Sequence, residues 1–176
     1  DLRGGEAQKA FEVPLSASLL EKADEGVYLL AVDWDLRFSK AHQLKGGAKE
    51  ALLKEKKEEK DYQVLDEMPF YFNGAGYVNK HRDALFLYEE SSGKLTRVTK
   101  EAFSTGSAHL SPDGKQVLFT GQSYTVKRKN KSGVYVYDRE TGQTTELLKP
   151  RAYDLYDALW WGEKILLLAT DGKRYG

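Results

Sequence analysis

Cysteine is absent from the 176-residue chain. Disulfides and thiolate chemistry are thereby excluded, which fits a reducing compartment and sets a cytoplasmic location as the expectation. An excess of either charge is also missing, because 27 Lys plus Arg balance 27 Asp plus Glu. Nucleic acid and anionic membranes both select a basic excess, so neither is expected as a partner. No apolar run approaches the roughly 20 residues of a membrane helix. The best, Lys164–Thr170 (KILLLAT), is far too short. The chain opens DLRGGEAQ, with no initiator Met and no signal-like apolar segment, and reads as a processed or excised piece.

The usual catalytic signatures are missing as well. G-x-S-x-G does not occur; GQSYT at Gly121 comes nearest and lacks the second glycine. There is no His-Glu-x-x-His, no Walker sequence and no thiolate ligand set. His42, His81 and His109 are widely separated and read as loop or strand residues rather than metal ligands. NGAGYVNK (73–80) offers Gly-x-Gly without the third glycine or a following helix pattern, so it reads as a glycine-permitted loop or bulge. TVKRKNKSG (125–133) is a basic run that could meet phosphate or an acidic partner; in a neutral chain it reads first as a solvated loop. No catalytic residue, metal or cofactor is expected.

What is present is a core and a repeat. Apolar residues make up 40% of the chain and aromatics 12%, enough for one domain, or a piece of one, to fold. GVYVYDRETGQTTELL (133–148) is a strand, a turn and a returning strand, and ALFLYEESSGKLTRVT (84–99) has the same form. DLRGGEA at the start offers a third turn glycine. Gly5, Gly93 and Gly142 lie 88 and 49 residues apart. A second landmark repeats both spacings: Gly26 precedes Gly114 by 88 residues, and Lys115 precedes Lys164 by 49. A period near 50 with four short strands per unit is a propeller pattern.

The expected fold is therefore all-β, a partial β-propeller of four-stranded antiparallel blades with one helical insertion at about residues 41–62. Residues 1–13 end one blade, 15–99 form a blade with an insertion at 36–80, 107–149 form another, and 153–176 begin the next. The insertion contains AHQLKGGAKEALLKEKKEEKDY (41–62), rich in Ala, Leu, Lys and Glu, with Glu50 four residues before Lys54. Beyond Lys54 it is polar all round and reads as a solvated helix. Trp160 and Trp161 should point to opposite faces of their strand. Two whole blades and two partial ones do not close a ring of four to eight. Open blade edges favour self-association.

EMPFYFNGAGYVNKHRDALFLYEESSGKLTRVT (67–99) resembles a blade from the N-terminal propeller of acylaminoacyl peptidases, in the prolyl oligopeptidase family of serine peptidases. Glu67, Pro69, Phe70, Asn73, Gly74, Gly76, Tyr77, Lys80 and Arg82 carry the resemblance. LSPDGKQVLFTG (110–121) is similar to the family's blades but is shared with TolB-type propellers. The resemblance implies a non-catalytic segment that caps and gates a C-terminal α/β-hydrolase domain acting on short or N-acylated peptides. That domain, with its Ser, Asp and His, is absent here, so no catalytic role passes to any numbered residue. The alternative is a TolB-type scaffold that binds protein or ligand with no attached hydrolase.

Within the loop 70–82, Asn73 and Asn79 are neutral hydrogen-bonding groups, and Arg82 offers a planar fork suited to a carboxylate or carbonyl. These three are the candidate substrate contacts. The competing reading makes Asn73 and Gly74 a turn and pairs Arg82 with an acid such as Asp83 or Glu67.

Overall fold

The computed structural model describes residues 11–58, 64–129, 131–149 and 153–171. Strands cover 51% and helix 12%, so the protein is mostly β. The first sheet contains β1 (Ala17–Asp24), β2 (Val27–Asp35), β5 (His81–Glu89) and β6 (Lys94–Arg97). It is antiparallel, in the order β1-β2-β5-β6. A second four-stranded antiparallel sheet contains β7 (Phe103–Leu110), β8 (Gln116–Ser123), β9 (Gly133–Asp138) and β10 (Thr144–Leu148), again in chain order. A two-stranded ladder follows, β11 (Asp154–Trp161) with β12 (Lys164–Thr170).

Between β2 and β5 runs the excursion 36–80. It contains two short 3-10 turns, Leu36–Phe38 and Ala41–Gln43, a helix α1 (Gly47–Glu58), and a hairpin of β3 (Tyr71–Phe72) with β4 (Gly76–Tyr77). Helix α1 has no buried residue, as its polar sequence requires. The expected helical stretch extended to 62; residues 59–63 lie outside the described part.

The sequence of each strand follows from its layer. Central strands are covered on both faces, so β2 (VYLLAVDWD) and β5 (HRDALFLYE) read as nearly unbroken apolar runs. Edge strands β1 and β10 are mostly exposed and correspondingly polar. One core lies between the two sheets, with Leu29, Leu85 and Leu87 facing Val117, Phe119 and Tyr137. A second covers the far face of the first sheet, where Phe11, Val13 and Leu15 pack on Leu30, Val32 and Tyr88. A third joins Leu118, Val134 and Val136 to Ala158, Leu155 and Trp160 of the ladder. Each such side chain contributes about 1.5–3 kcal/mol by leaving water.

The turn glycines explain the spacings. Gly26 and Gly114 close the β1–β2 and β7–β8 turns with φ of 65° and 69°, and Gly93 and Gly142 close β5–β6 and β9–β10 at 66° and 69°. Side chains with a Cβ disfavour this region. Gly5 lies outside the described residues, as do residues 6–10 of the expected preceding strand; Phe11 to Val13 pack without forming one. The second sheet starts at Phe103, not near residue 107, because Phe103 is itself buried in the inter-sheet core. Trp160 faces the core while Trp161 is 71% exposed, as alternation along a strand requires.

Candidate functional site at the loop end of the sheets

In an antiparallel meander the odd and even connections fall at opposite ends. The tight glycine turns occupy one end; the excursion 36–80, the β6–β7 connection 98–102 and the β8–β9 connection 124–132 share the other. This crowded end holds a cluster of polar groups shared between the elements.

Its anchor is a buried ion pair. Arg82 at the start of β5 and Glu67 in the excursion have side chains only 0% and 1% exposed. Arg82 Nη2 donates to Glu67 Oε1 at 2.6 Å and Nη1 to Oε2 at 3.1 Å, a bidentate fork. The remaining donors go to backbone carbonyls: Nη1 to His81 at 2.7 Å, Nη2 to Tyr124 at 2.9 Å and Nε to Ala102 at 3.3 Å. All five N–H groups are therefore used, and the guanidinium also lies 3.7 Å from the centre of the Tyr124 ring. Glu67 Oε2 accepts the Lys80 backbone N–H at 2.8 Å. Burial alone would push the Glu67 carboxyl up, but these hydrogen bonds and the Arg82 and Lys80 charges outweigh it and hold the group below the ordinary carboxylate value.

Asn79 completes the knot. Its Oδ1 accepts the Asp66 and Glu67 N–H groups at 3.3 and 3.2 Å, and its Nδ2 donates to the Val64 carbonyl at 2.7 Å. Of the three candidate contacts, Asn79 and Arg82 are thus brought together as buried supports, and Arg82 has no donor left for a ligand. Asn73 stands apart in the exposed β3–β4 turn, next to Gly74 at φ 85°. Propped on the knot, that hairpin exposes Tyr71, Phe72 and Tyr77 by 51%, 42% and 56%.

Two cavities meet at Tyr124, which lines both. The smaller, about 470 Å³, is lined by Asp33, His81, Asp83, Ser104 and Arg128. His81 Nδ1 lies 2.7 Å from Asp33 Oδ1, and its Nε2 lies 3.7 Å from Asp35 Oδ2. The hydrogen bond to Asp33 raises the imidazole above its ordinary value against the effect of burial, and lowers the Asp33 carboxyl. The Ser104 hydroxyl donates to Asp83 Oδ2 at 3.0 Å rather than to His81, so this cluster is not a nucleophile–base pair. It can bind and hold charge.

The larger cavity, about 620 Å³, lies under the basic run and beside β9 and β10. The run does not hang free. Met68 pairs with it in a parallel bridge, accepting the Arg128 N–H and donating to Val126, both at 2.8 Å. The Gln122 amide clips the Lys129 backbone from both sides, accepting its N–H at 2.9 Å and donating to its carbonyl. A short loop and a long excursion are thereby joined into one surface. The Arg82–Glu67 pairing is the competing reading of the sequence, whereas the Gln122 clip, which spans seven residues, carries no sequence signature.

Along the opposite edges of the stack, the first strands β1, β7 and β11 abut. Glu21 Oε1 lies 3.4 Å from His109 Nδ1, and Asp157 Oδ1 lies 3.1 Å from His109 Nε2. Glu21 and His109 are 88 residues apart, so the seam joins repeat-equivalent positions. Among the described residues no cluster suits a metal ion, and no helix is long and apolar enough to cross a membrane. No protein-family model matches the chain, and no curated protein matches it.

Proposed function

We propose that the chain is a segment of a β-propeller that caps and gates the α/β-hydrolase domain of an acylaminoacyl-peptidase-like serine peptidase, and that it is itself non-catalytic. Successive antiparallel sheets stacked with their first strands adjacent suit blades around an axis. The observation that carries the functional half is the β3–β4 hairpin. Its aromatics are exposed, yet its base is fixed by the buried Glu67–Arg82 pair. Rigid, exposed aromatics are what an interface uses, since they bring large contact area at little entropic cost. Most residues of the family-like pattern serve this hairpin or its base, which gives the resemblance a physical reason. The apolar face of the ladder with Trp161, Leu166 and Leu168, exposed among the described residues, and the edge of β12, which pairs with no second described strand, suit further strands or a second copy.

The test uses a fluorophosphonate probe. The 176-residue chain should remain unlabelled, whereas the protein that contains it should be labelled at a serine outside it. In that protein, Tyr77→Ala should lower peptide turnover several-fold without moving Tm. An unlabelled parent protein would instead favour the TolB-type scaffold.

A further inference from the structure

We infer that the cavity beneath the 124–132 connection is a binding site for an organic anion with an aromatic body. This inference is independent of any attached hydrolase. The cavity's volume of about 620 Å³ falls within the range of small-molecule sites, about 300–1,000 Å³. Its lining is divided chemically. It presents the half-buried ring of Tyr135, backed by Phe103 and Phe119, which are 5% and 1% exposed and whose centroids lie 5.2 and 5.5 Å from it. It also carries Lys131, which pairs with Asp154 at 2.9 Å, and Lys100, Lys127 and Lys129. None of the last three forms an ion pair with a described residue.

The acid in the lining is already engaged, because Glu146 Oε1 accepts the Tyr135 hydroxyl at 3.1 Å. Burial, then the bond to Glu146, pushes that phenol up to about 12, so the ring stays neutral and the wall keeps its positive character at physiological pH. The Gln122 clip and the Met68 bridge fix the backbone that carries the exposed Lys127 and Lys129 beside the cavity. An aromatic body would meet the Tyr135 ring while a carboxylate or phosphate reaches the ammonium groups.

The experiment titrates the 176-residue chain by calorimetry and amide chemical shifts with N-acetylphenylalanine, its neutral amide, 3-phenylpropionate and inorganic phosphate. The two aromatic acids should bind at least tenfold more tightly than the amide or phosphate, with shifts centred on residues 122–129. Tighter binding of N-acetylphenylalanine than of phenylpropionate identifies a peptide C-terminus as the source of the anion; equal binding identifies a free aromatic acid. The Lys127→Gln/Lys129→Gln variant changes only exposed side chains and should weaken the acids at least fivefold. Equal affinity for acid and amide, phosphate binding as well as the acids, no binding of either acid, or unchanged affinity in the variant would each overturn the inference.

Discussion

In the first sheet the second and third strands are joined by 45 residues (36–80); at the corresponding place in the second sheet nine residues (124–132) make the connection. The strands around both connections have the same order, the same turn glycines and a shared core. The meander is therefore indifferent to what is inserted at its loop end, provided each insert satisfies its own buried polar groups. Glu67 of the long insert is met by Arg82 of β5, and the Lys129 backbone of the short one by the amide of Gln122 in β8. Repeated structure supplies the scaffold, and the unrepeated connections supply the surface on which function would act.

The largest expected effect comes from Arg82→Met. It leaves Glu67 buried without its cation, and urea denaturation should report a loss of about 3–5 kcal/mol. Adding Glu67→Leu should recover much of that loss, because no unpaired charge then remains. A double variant no better than the single one would mean that the pair's geometry, not its charge balance, holds the excursion.

The equivalent glycines sharpen the comparison. Gly26→Ala places a Cβ in ordinary contact, 3.7 Å from Glu90 Cβ, and should cost only the left-handed strain, about 1–2 kcal/mol. Gly114→Ala has the same strain but drives its Cβ to 2.6 Å from the Ala23 carbonyl oxygen of β1. It should cost clearly more, measured by the same denaturation. Equal losses would show that β1 yields, and that the sheets are not packed tightly at that turn.

A smaller difference concerns pH. The His81–Asp33 pair braces the first sheet alone. The raised His81 value makes its contribution complete below about 6.5 and lost as pH rises through the folded value. The lowered Asp33 value makes its contribution complete above about 3.9 and lost as pH falls through its folded value. The pair therefore acts fully between those limits. Both side chains are substantially exposed, so screening keeps the effect below about 1 kcal/mol. His81→Asn should be less stable than the parent chain at pH 5.5 and close to it at pH 9.

The scaffold was legible because its signals are local. Glycine turns at fixed spacings, apolar central strands and the Ala/Lys/Glu-rich helix all depend on neighbours in sequence, and the insertion 36–80 follows from them. The loop end was legible only in part. Pattern alone places Asn73 in a turn, but burial of Asn79 and Arg82 depends on contacts across 12 to 42 positions in the chain. A surface acid and a buried one look alike in sequence, so Glu67 could be named as a partner for Arg82 without its depth being known. The basic run is exposed, as its sequence implies; its tethers, Gln122 just before it and the distant Met68, are ordinary residues that do not announce themselves.

The two unequal connections form one ordered surface built on the Glu67–Arg82 pair, and amide hydrogen exchange reads that order residue by residue. In the parent chain the N–H groups of Met68, Lys80, Arg128 and Lys129 should be protected nearly as well as those of β5 and β8. In Arg82→Met they should lose protection together, while Leu29 and Leu118 in the core remain slow. Exchange of those four amides at free-loop rates in the parent chain would contradict the account.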